Sequence, residues 1–576
     1  MRLVVRPALW AVSCVVAAII GSACAPAHVN RPITSADYPH TRPELTRYQE
    51  TSHYSDVQDF LDSLRKLGAP LTFGSIGKTT EGRNIPFVIA ARPRVATPSE
   101  ARRLGRPIVY VQGNIHAGEV EGKDALLALI RDLTFSPKPN ALDSIVLIAV
   151  PIYNADGNER FASQSVNRTE QNGPEQVGTR ANAQSLDLNR DYVKAEAPET
   201  RASLAMFNAW DPDVFVDLHT TDGSFHGYAL TYSPSLSPAA VFGGVYTRDS
   251  LLPLLRDRMR TRRGFEVFDY GNFVSDERGL VADSSVREAW ATYDSRPRFG
   301  TNYFGIRGRI AILSEAYSHD SLARRIASTY AFVSEILSLI AEKANAVKSL
   351  SARADSLPLA WGRSPDSVQL VAVRSELIAT PRLLAVLKED IEKTADSSRT
   401  QPGVPRGERR TGRVHAVRMP VYDRFTSTLD RLPPAAYVIA PQDTAAVTLL
   451  RLHGIHVERS DSAWLARGES FTIDSIITSP RVFQGHHEVR LNGTWQRGLQ
   501  AVPPRSFIVS TAQPRGALIV YLLEPESDDG LTTWNFFDQD IRKGGRYPVT
   551  RIFDLSRRGR TVNRRSSAAA SPLQNN

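Results

Sequence analysis

The 576-residue chain is poor in cysteine, with only Cys14 and Cys24. Cys14 lies inside an apolar run near the N-terminus, so the rest of the chain forms no internal disulfide and depends on its core for stability. Long hydrophobic runs are also missing. The longest N-terminal one, Ala8 to Ile20, falls short of the roughly 20 residues that a bilayer-spanning helix needs. Arg2 and Arg6 precede it and small residues follow, so residues 1–25 read as an export signal. Cleavage is expected near Ala23 or Ala25, and a lipid on Cys24 would be the one route to a membrane. The expected location is therefore periplasmic or extracellular. There is no internal repeat, and no helix-turn-helix, OB or RRM-like pattern, so the net charge of +9 does not point to nucleic acid. Much of the basic excess sits in "RTQPGVPRGERRTGR" and in the C-terminal tail, which read as a solvated linker and a disordered basic tail over 557–576.

Hydrophobic residues make up 42% and charged residues 23%, as in ordinary soluble globular proteins. Val57, Phe60, Leu61 and Leu64 recur at helical spacing. "RPIVYVQG", "SIVLIAVPIY", "DVFVDLH" and "GRIAILSEA" are short Val/Ile-rich runs with helical patterns between some of them. Continuous apolar strands imply a sheet buried on both faces. The expected fold is α/β, a mixed, largely parallel twisted sheet covered by helices over residues 45–345. A single long helix is expected from Asp320 to about Leu350. Residues 346–412 read as a helical segment, to about Ser398, followed by the linker. A β-rich C-terminal domain is expected over 413–556, with "ALIVYLLEP" among its strands.

Four ionisable side chains stand at strand ends. His116 and Glu119 follow "IVYVQG", His219 follows "VFVDL", and Glu315 ends "IAILSE". In open α/β sheets, ligands bind beyond the carboxyl ends of the strands. Two imidazoles and a carboxylate make a three-ligand zinc set with a fourth position for water. Taken singly, each residue has a plainer role: Glu119 complementing a helix dipole, His219 a hydrogen-bonded core residue, Glu315 the partner of an arginine. Their joint placement favours the metal. His453, His456, His486 and His487 lie in the C-terminal strands and read as structural.

The ordered set "GKTTEGRNIP", "GNIHAGEVEG", "PIYNADGNERF", "GTRANAQSLDLNRD", "VDLHTTDG" and "ILSEA" resembles the zinc carboxypeptidase family, peptidase family M14, over about residues 45–345. The resemblance implies one Zn2+ per chain, held by His116, Glu119 and His219, with Glu315 as general base; should Glu315 not serve, Glu121 is the first other residue to examine. It further implies that Asp187 orients His116 and that Arg180 faces the transition-state oxyanion. Asn189 and Arg190 would bind the substrate's terminal carboxylate. The substrate-capping tyrosine is Tyr293 or Tyr303, with spacing favouring Tyr293, and the side-chain pocket falls near Gly300 to Asn302.

The expected partner is a peptide or peptide-like substrate with a free C-terminal carboxylate. Two rival functions stand beside exopeptidase action. One is a zinc amidase or deacylase acting on acylated amino acids or cell-wall peptides. The other is a surface binding protein that keeps the shell without catalysis, against which the presence of Glu315 argues, since a binding shell has no need of a base.

Overall fold

The computed structural model describes residues 34–136, 139–275, 288–361, 369–395, 401 and 404–555. The export signal and the basic tail therefore lie outside the described residues. Residues Met1–Tyr38 and Pro39–Asn576 form separate units. In the first, the described part is a short 3-10 turn at Ser35–Asp37. No described helix is long and apolar enough to cross a membrane.

After a short helical turn at Arg42–Leu45, the larger unit continues with α1 (Tyr54–Lys66), whose Val57, Phe60, Leu61 and Leu64 form one buried face. The sheet strands and their helices follow in chain order. They are β1 (Leu71–Lys78), β2 (Asn84–Ala90), β3 (Ile108–Gly113), α2 (Glu121–Phe135) and β4 (Val146–Val150). Next come α3 (Pro198–Trp210), β5 (Val214–Thr220), β6 (Leu230–Pro234), α4 (Leu252–Arg263) and β7 (Val267–Asp269). The set closes with α5 (Gly300–Ile306), β8 (Ile310–Ala316), α6 (Leu322–Glu342) and α7 (Ala344–Trp361). The eight strands lie in the order β1-β2-β4-β3-β5-β8-β6-β7. The central strands β4, β3, β5 and β8 run parallel, and each is buried along its whole length. Alternation along β3 sends Val109 and Val111 to a core shared with α1, α2, α4 and α6. Tyr110 goes to the opposite core with Phe207 of α3 and Phe304 of α5.

That second core does not stop at the first sheet. It continues into Tyr437, Val509, Ile519 and Trp534 of the C-terminal region. There the elements are β9 (Val371–Ile378), β10 (Leu384–Lys393), β11 (Glu408–Met419), β12 (Arg424–Arg431) and β13 (Ala436–Ile439). They are followed by α8 (Thr444–Leu452), β14 (Glu458–Arg459), β15 (Trp464–Phe483) and β16 (His486–Val502). The last are β17 (Phe507–Ser510), α9 (Gly516–Leu523) and β18 (Val549–Ile552). A six-stranded sheet in the order β14-β17-β13-β18-β15-β16 dominates.

Four expectations need correction. The single long helix is two, divided at Lys343, whose backbone (φ −103°, ψ 19°) leaves the helical region. Helix then ends at Trp361 rather than near Ser398, and "LLAVLKEDIEK" instead pairs as β10 with β11. Its apolar residues suit either period, and long-range pairing decides. The arginine-rich segment is also more than a solvated linker. Arg410 donates to the buried Glu389 at 2.7 Å, and Arg409 pairs with Glu392. Finally, "ALIVYLL" is a helix, not a strand. A short run that is apolar on every side carries no period to tell the two apart.

Gly122, in the first turn of α2, lets that helix sit directly on β5, because a Cβ there would lie 2.7 Å from Leu218 Cβ. Gly122→Ala gains helix propensity, but the Leu218 Cβ cannot swing aside. A net loss of about 1–3 kcal/mol, the usual range for overpacking, is expected in urea denaturation. Unchanged or raised stability would show that α2 can shift freely.

Candidate metal centre and substrate cleft

The parallel ladder places the ligands. In it Gln112 of β3 lies opposite Asp217 of β5, and His219 of β5 lies opposite Glu315 of β8. Side chains on one face at the carboxyl end of these strands therefore share one rim. The chain leaves β3 through Asn114, in the left-handed region at φ 65°. It then delivers His116 and Glu119 to the same rim.

His116 Nδ1 lies 3.0 Å from Glu119 Oε1, and His219 Nδ1 lies 2.9 Å from Glu119 Oε2. All three side chains are buried, and their donor atoms fall within 4.8 Å of one another. Ligands about 2.1 Å from a tetrahedral ion stand ~3.4 Å apart, so small local shifts, with the two Glu119 pairs opening slightly, fit this donor set to zinc. The outer ring nitrogens are also occupied. His116 Nε2 is 3.0 Å from Asp187 Oδ1, and His219 Nε2 is 3.1 Å from Asp217 Oδ2. Gln112 Nε2 donates to the other Asp217 oxygen at 3.1 Å. Carboxylates behind metal-binding imidazoles fix the ring and its tautomer, so both Nδ1 atoms are free to face an ion.

Electrostatics divides the carboxylates. Burial opposes the charge on Glu119, but His116 and Arg168 beside it outweigh this and hold its carboxyl well below the usual range. Asp187 is likewise held low by His116, Arg180 and Arg190 against its burial. Glu315 goes the other way. Burial raises its carboxyl well above the usual range, and Glu119 and Asp222 push in the same direction. The surroundings thus push two neighbouring carboxylates in opposite directions, as expected of groups with different tasks.

The cleft is lined by the three candidate ligands together with Arg180, Asn189, Arg190, Asp222, Tyr270, Tyr293, Phe299, Leu313 and Glu315. Arg180 Nε donates to Asp187 Oδ2 at 3.0 Å, and its side chain is 38% exposed, enough to meet a substrate. Asp187 caps the 3-10 turn Leu188–Arg190 by accepting from Asn189 N at 2.9 Å. Asn189 Oδ1 accepts from Gly300 N at 2.9 Å, and the Arg190 guanidinium lies 3.9 Å above the Phe299 ring. Tyr293 faces the cleft, and its buried hydroxyl has no hydrogen-bond partner among the described residues.

Tyr303 does not reach the cleft. It is fully buried in α5 and donates to His453 Nδ1 at 2.7 Å, while His453 Nε2 donates to Val193 O. Spacing along the loop favoured Tyr293, and the turn into α5 is what buries Tyr303. His453 is structural, as expected, and burial pushes it down to about 3. Glu121 is also removed from the candidate bases, since it is buried against Thr220 Oγ1 and Arg325 Nε. Near the expected side-chain pocket, Asn302 is consumed by Asp294 O, Arg296 O and Leu236 N. Phe299 and Leu313 line the cleft instead.

Sequence reading missed four residues. Asp217 had a signal, since it stands two before His219 and so shares its face of the strand. Arg168, whose NH1 donates to Glu119 Oε1 at 3.2 Å, had none. Neither did Asp222 or Tyr270, which meet at 2.9 Å.

Residues 57–241 match the family model described as zinc carboxypeptidase. The chain carries a zinc carboxypeptidase domain. Among relatives, it is 21% identical over 515 residues to "Carboxypeptidase 2" of Trichophyton rubrum, covering 86% of each chain. It is 28% identical over 181 residues to "Carboxypeptidase D" of Mus musculus, covering 29% of this chain and 12% of that one. The metallo-carboxypeptidase structure from Burkholderia cenocepacia aligns over 52% of this chain and 71% of the other, with 16% identity and a TM-score of 0.38. The enzyme class is thus metallocarboxypeptidase hydrolase.

Removing the carboxylate behind His219 tests the metal-centre geometry. Asp217→Ala is expected to weaken zinc binding by about 10- to 100-fold in chelator competition, the usual effect of losing such support. His116→Ala/His219→Ala should bind none tightly. Equal zinc in wild type and the double variant would remove this ligand set.

Proposed function

We propose that the protein is an exported zinc metallocarboxypeptidase that removes C-terminal residues from peptides. One observation carries this reading. Asn189 and Arg190 face the same cleft as His116, Glu119, His219 and Glu315, so a carboxylate anchor and a hydrolytic centre share one substrate space.

When bound, a zinc ion supplies the Lewis acidity that makes water nucleophilic near neutral pH and polarises a carbonyl. The remaining work falls to side chains of this protein. Arg190 presents a planar fork to the terminal carboxylate, and Phe299 beneath the guanidinium restrains its plane. Asn189, tied to Gly300, sets the depth at which the carboxylate stops. Glu315 accepts the proton of the attacking water, a role suited to a carboxyl with a raised proton affinity. Arg180 faces the oxyanion as it develops, where a preplaced cation stabilises the transition state more than the substrate. Tyr293 closes over the bound residue. Export rests on the N-terminal basic–apolar–small pattern, and Cys24 is the position for a lipid if the protein is anchored.

Two measurements test this. Glu315→Gln should retain zinc while kcat falls by about 10²-fold or more, the scale of general-base loss. Near-normal activity in that variant would place the base elsewhere. Wild type should also prefer a peptide acid strongly over its C-terminal amide, because the guanidinium is left without its partner by the amide. Arg190→Ala should lose most of that preference. Equal cleavage of acid and amide by wild type would replace the exopeptidase reading with an endopeptidase or deacylase.

A further inference from the structure

The C-terminal region meets the Asp187–Arg190 turn beside the cleft through the turn that joins β15 to β16. Phe483 pairs with His486 across it, so Gln484 and Gly485 form a two-residue turn. Both are left-handed, at φ 51° and 83°. Turns of this kind favour Asn or Gly at the first position, because a longer side chain is strained there. Gln484 is therefore a local misfit, and a strained residue held in place invites a functional account.

Its side chain supplies one. Gln484 Oε1 accepts from the backbone N of Asp187 at 2.9 Å. That peptide unit begins the turn whose side chains orient His116, pair with Arg180 and carry Asn189 and Arg190. The same hairpin grips the opposite wall. Glu488 lies 2.6 Å from Arg298 NH2, and the Phe483 ring lies 5.2 Å from the Arg298 guanidinium. Arg298 directly precedes Phe299, the ring under Arg190. Both arms of the carboxylate anchor thus end on one hairpin.

We propose that the β15–β16 hairpin is a working part of the substrate site, with Gln484 the positioning residue that sets the Asp187–Arg190 turn. Asn is the better residue for the turn but is one methylene shorter, so it gives up the reach to Asp187. This inference rests on Asn189 and Arg190 binding the carboxylate.

The test is Gln484→Asn in the full-length, zinc-loaded enzyme, with Gln484→Ala beside it. Gln484→Asn should melt no lower than wild type and hold equal zinc. Its KM for a peptide acid should rise about 5- to 10-fold, the scale of one lost neutral hydrogen bond, with a smaller change in kcat. Its preference for acid over amide should shrink in proportion. Hydrogen exchange at the Asp187 amide should speed up in both variants. Kinetics and exchange like wild type in Gln484→Asn would overturn the proposal and leave the hairpin structural. If Arg190→Ala keeps the preference for the acid, the carboxylate reading itself has failed. If Arg190→Ala loses it while Gln484→Asn does not, only the role of Gln484 has failed.

Discussion

The registered parallel ladder β3–β5–β8 is the constraint on which the site depends. Hydrogen bonds between parallel strands fix which residues stand side by side, and a slip of one residue would turn every side chain to the other face. Because His219 and Glu315 are opposite one another, the candidate ligand and candidate base arrive at one level of one rim, with Gln112 and Asp217 paired two residues earlier on the same face. Gly122 extends this precision to α2 by letting the helix approach β5 without an intervening side chain. His116 and Glu119 therefore meet His219 with little freedom left to lose on binding a metal.

Buried charge has to be compensated locally, and here the compensation also defines roles. Glu119 and Asp187 stay ionised because imidazoles and guanidiniums outweigh the cost of their burial. For Glu315, burial raises its proton affinity, Glu119 and Asp222 add to that, and the positive charge of His219 and Arg168 does not offset it. Glu121, only two residues from a candidate ligand, is taken out of the chemistry by Arg325. An unpaired buried charge is costly, so each carboxylate's partner largely determines what it can do.

The C-terminal region is joined to the sheet by a shared core and by polar anchors. Trp534 Nε1 and the Arg298 guanidinium both donate to the fully buried Asp529. His453 receives the Tyr303 hydroxyl. These contacts fix the loop from Tyr293 to Phe299, one wall of the cleft, so the second sheet and the substrate space are mechanically continuous.

Local pattern determined much of this. Strand ends carrying His116, Glu119, His219 and Glu315 and the helix face of α1 could be read because each depends on short-range period, whereas Asp187, Asn189 and Arg190 were reached only through the resemblance to zinc carboxypeptidases. Asp217 was equally legible from strand alternation. Tertiary structure alone decided that "ALIVYLL" is helical. It also decided that β10 pairs with β11, and that Arg168 and Gln484 touch the site from 49 and 297 residues away. In each of these cases a long-range partner makes the choice. A linear pattern records the period of an element, and it does not record which distant surface will bury it.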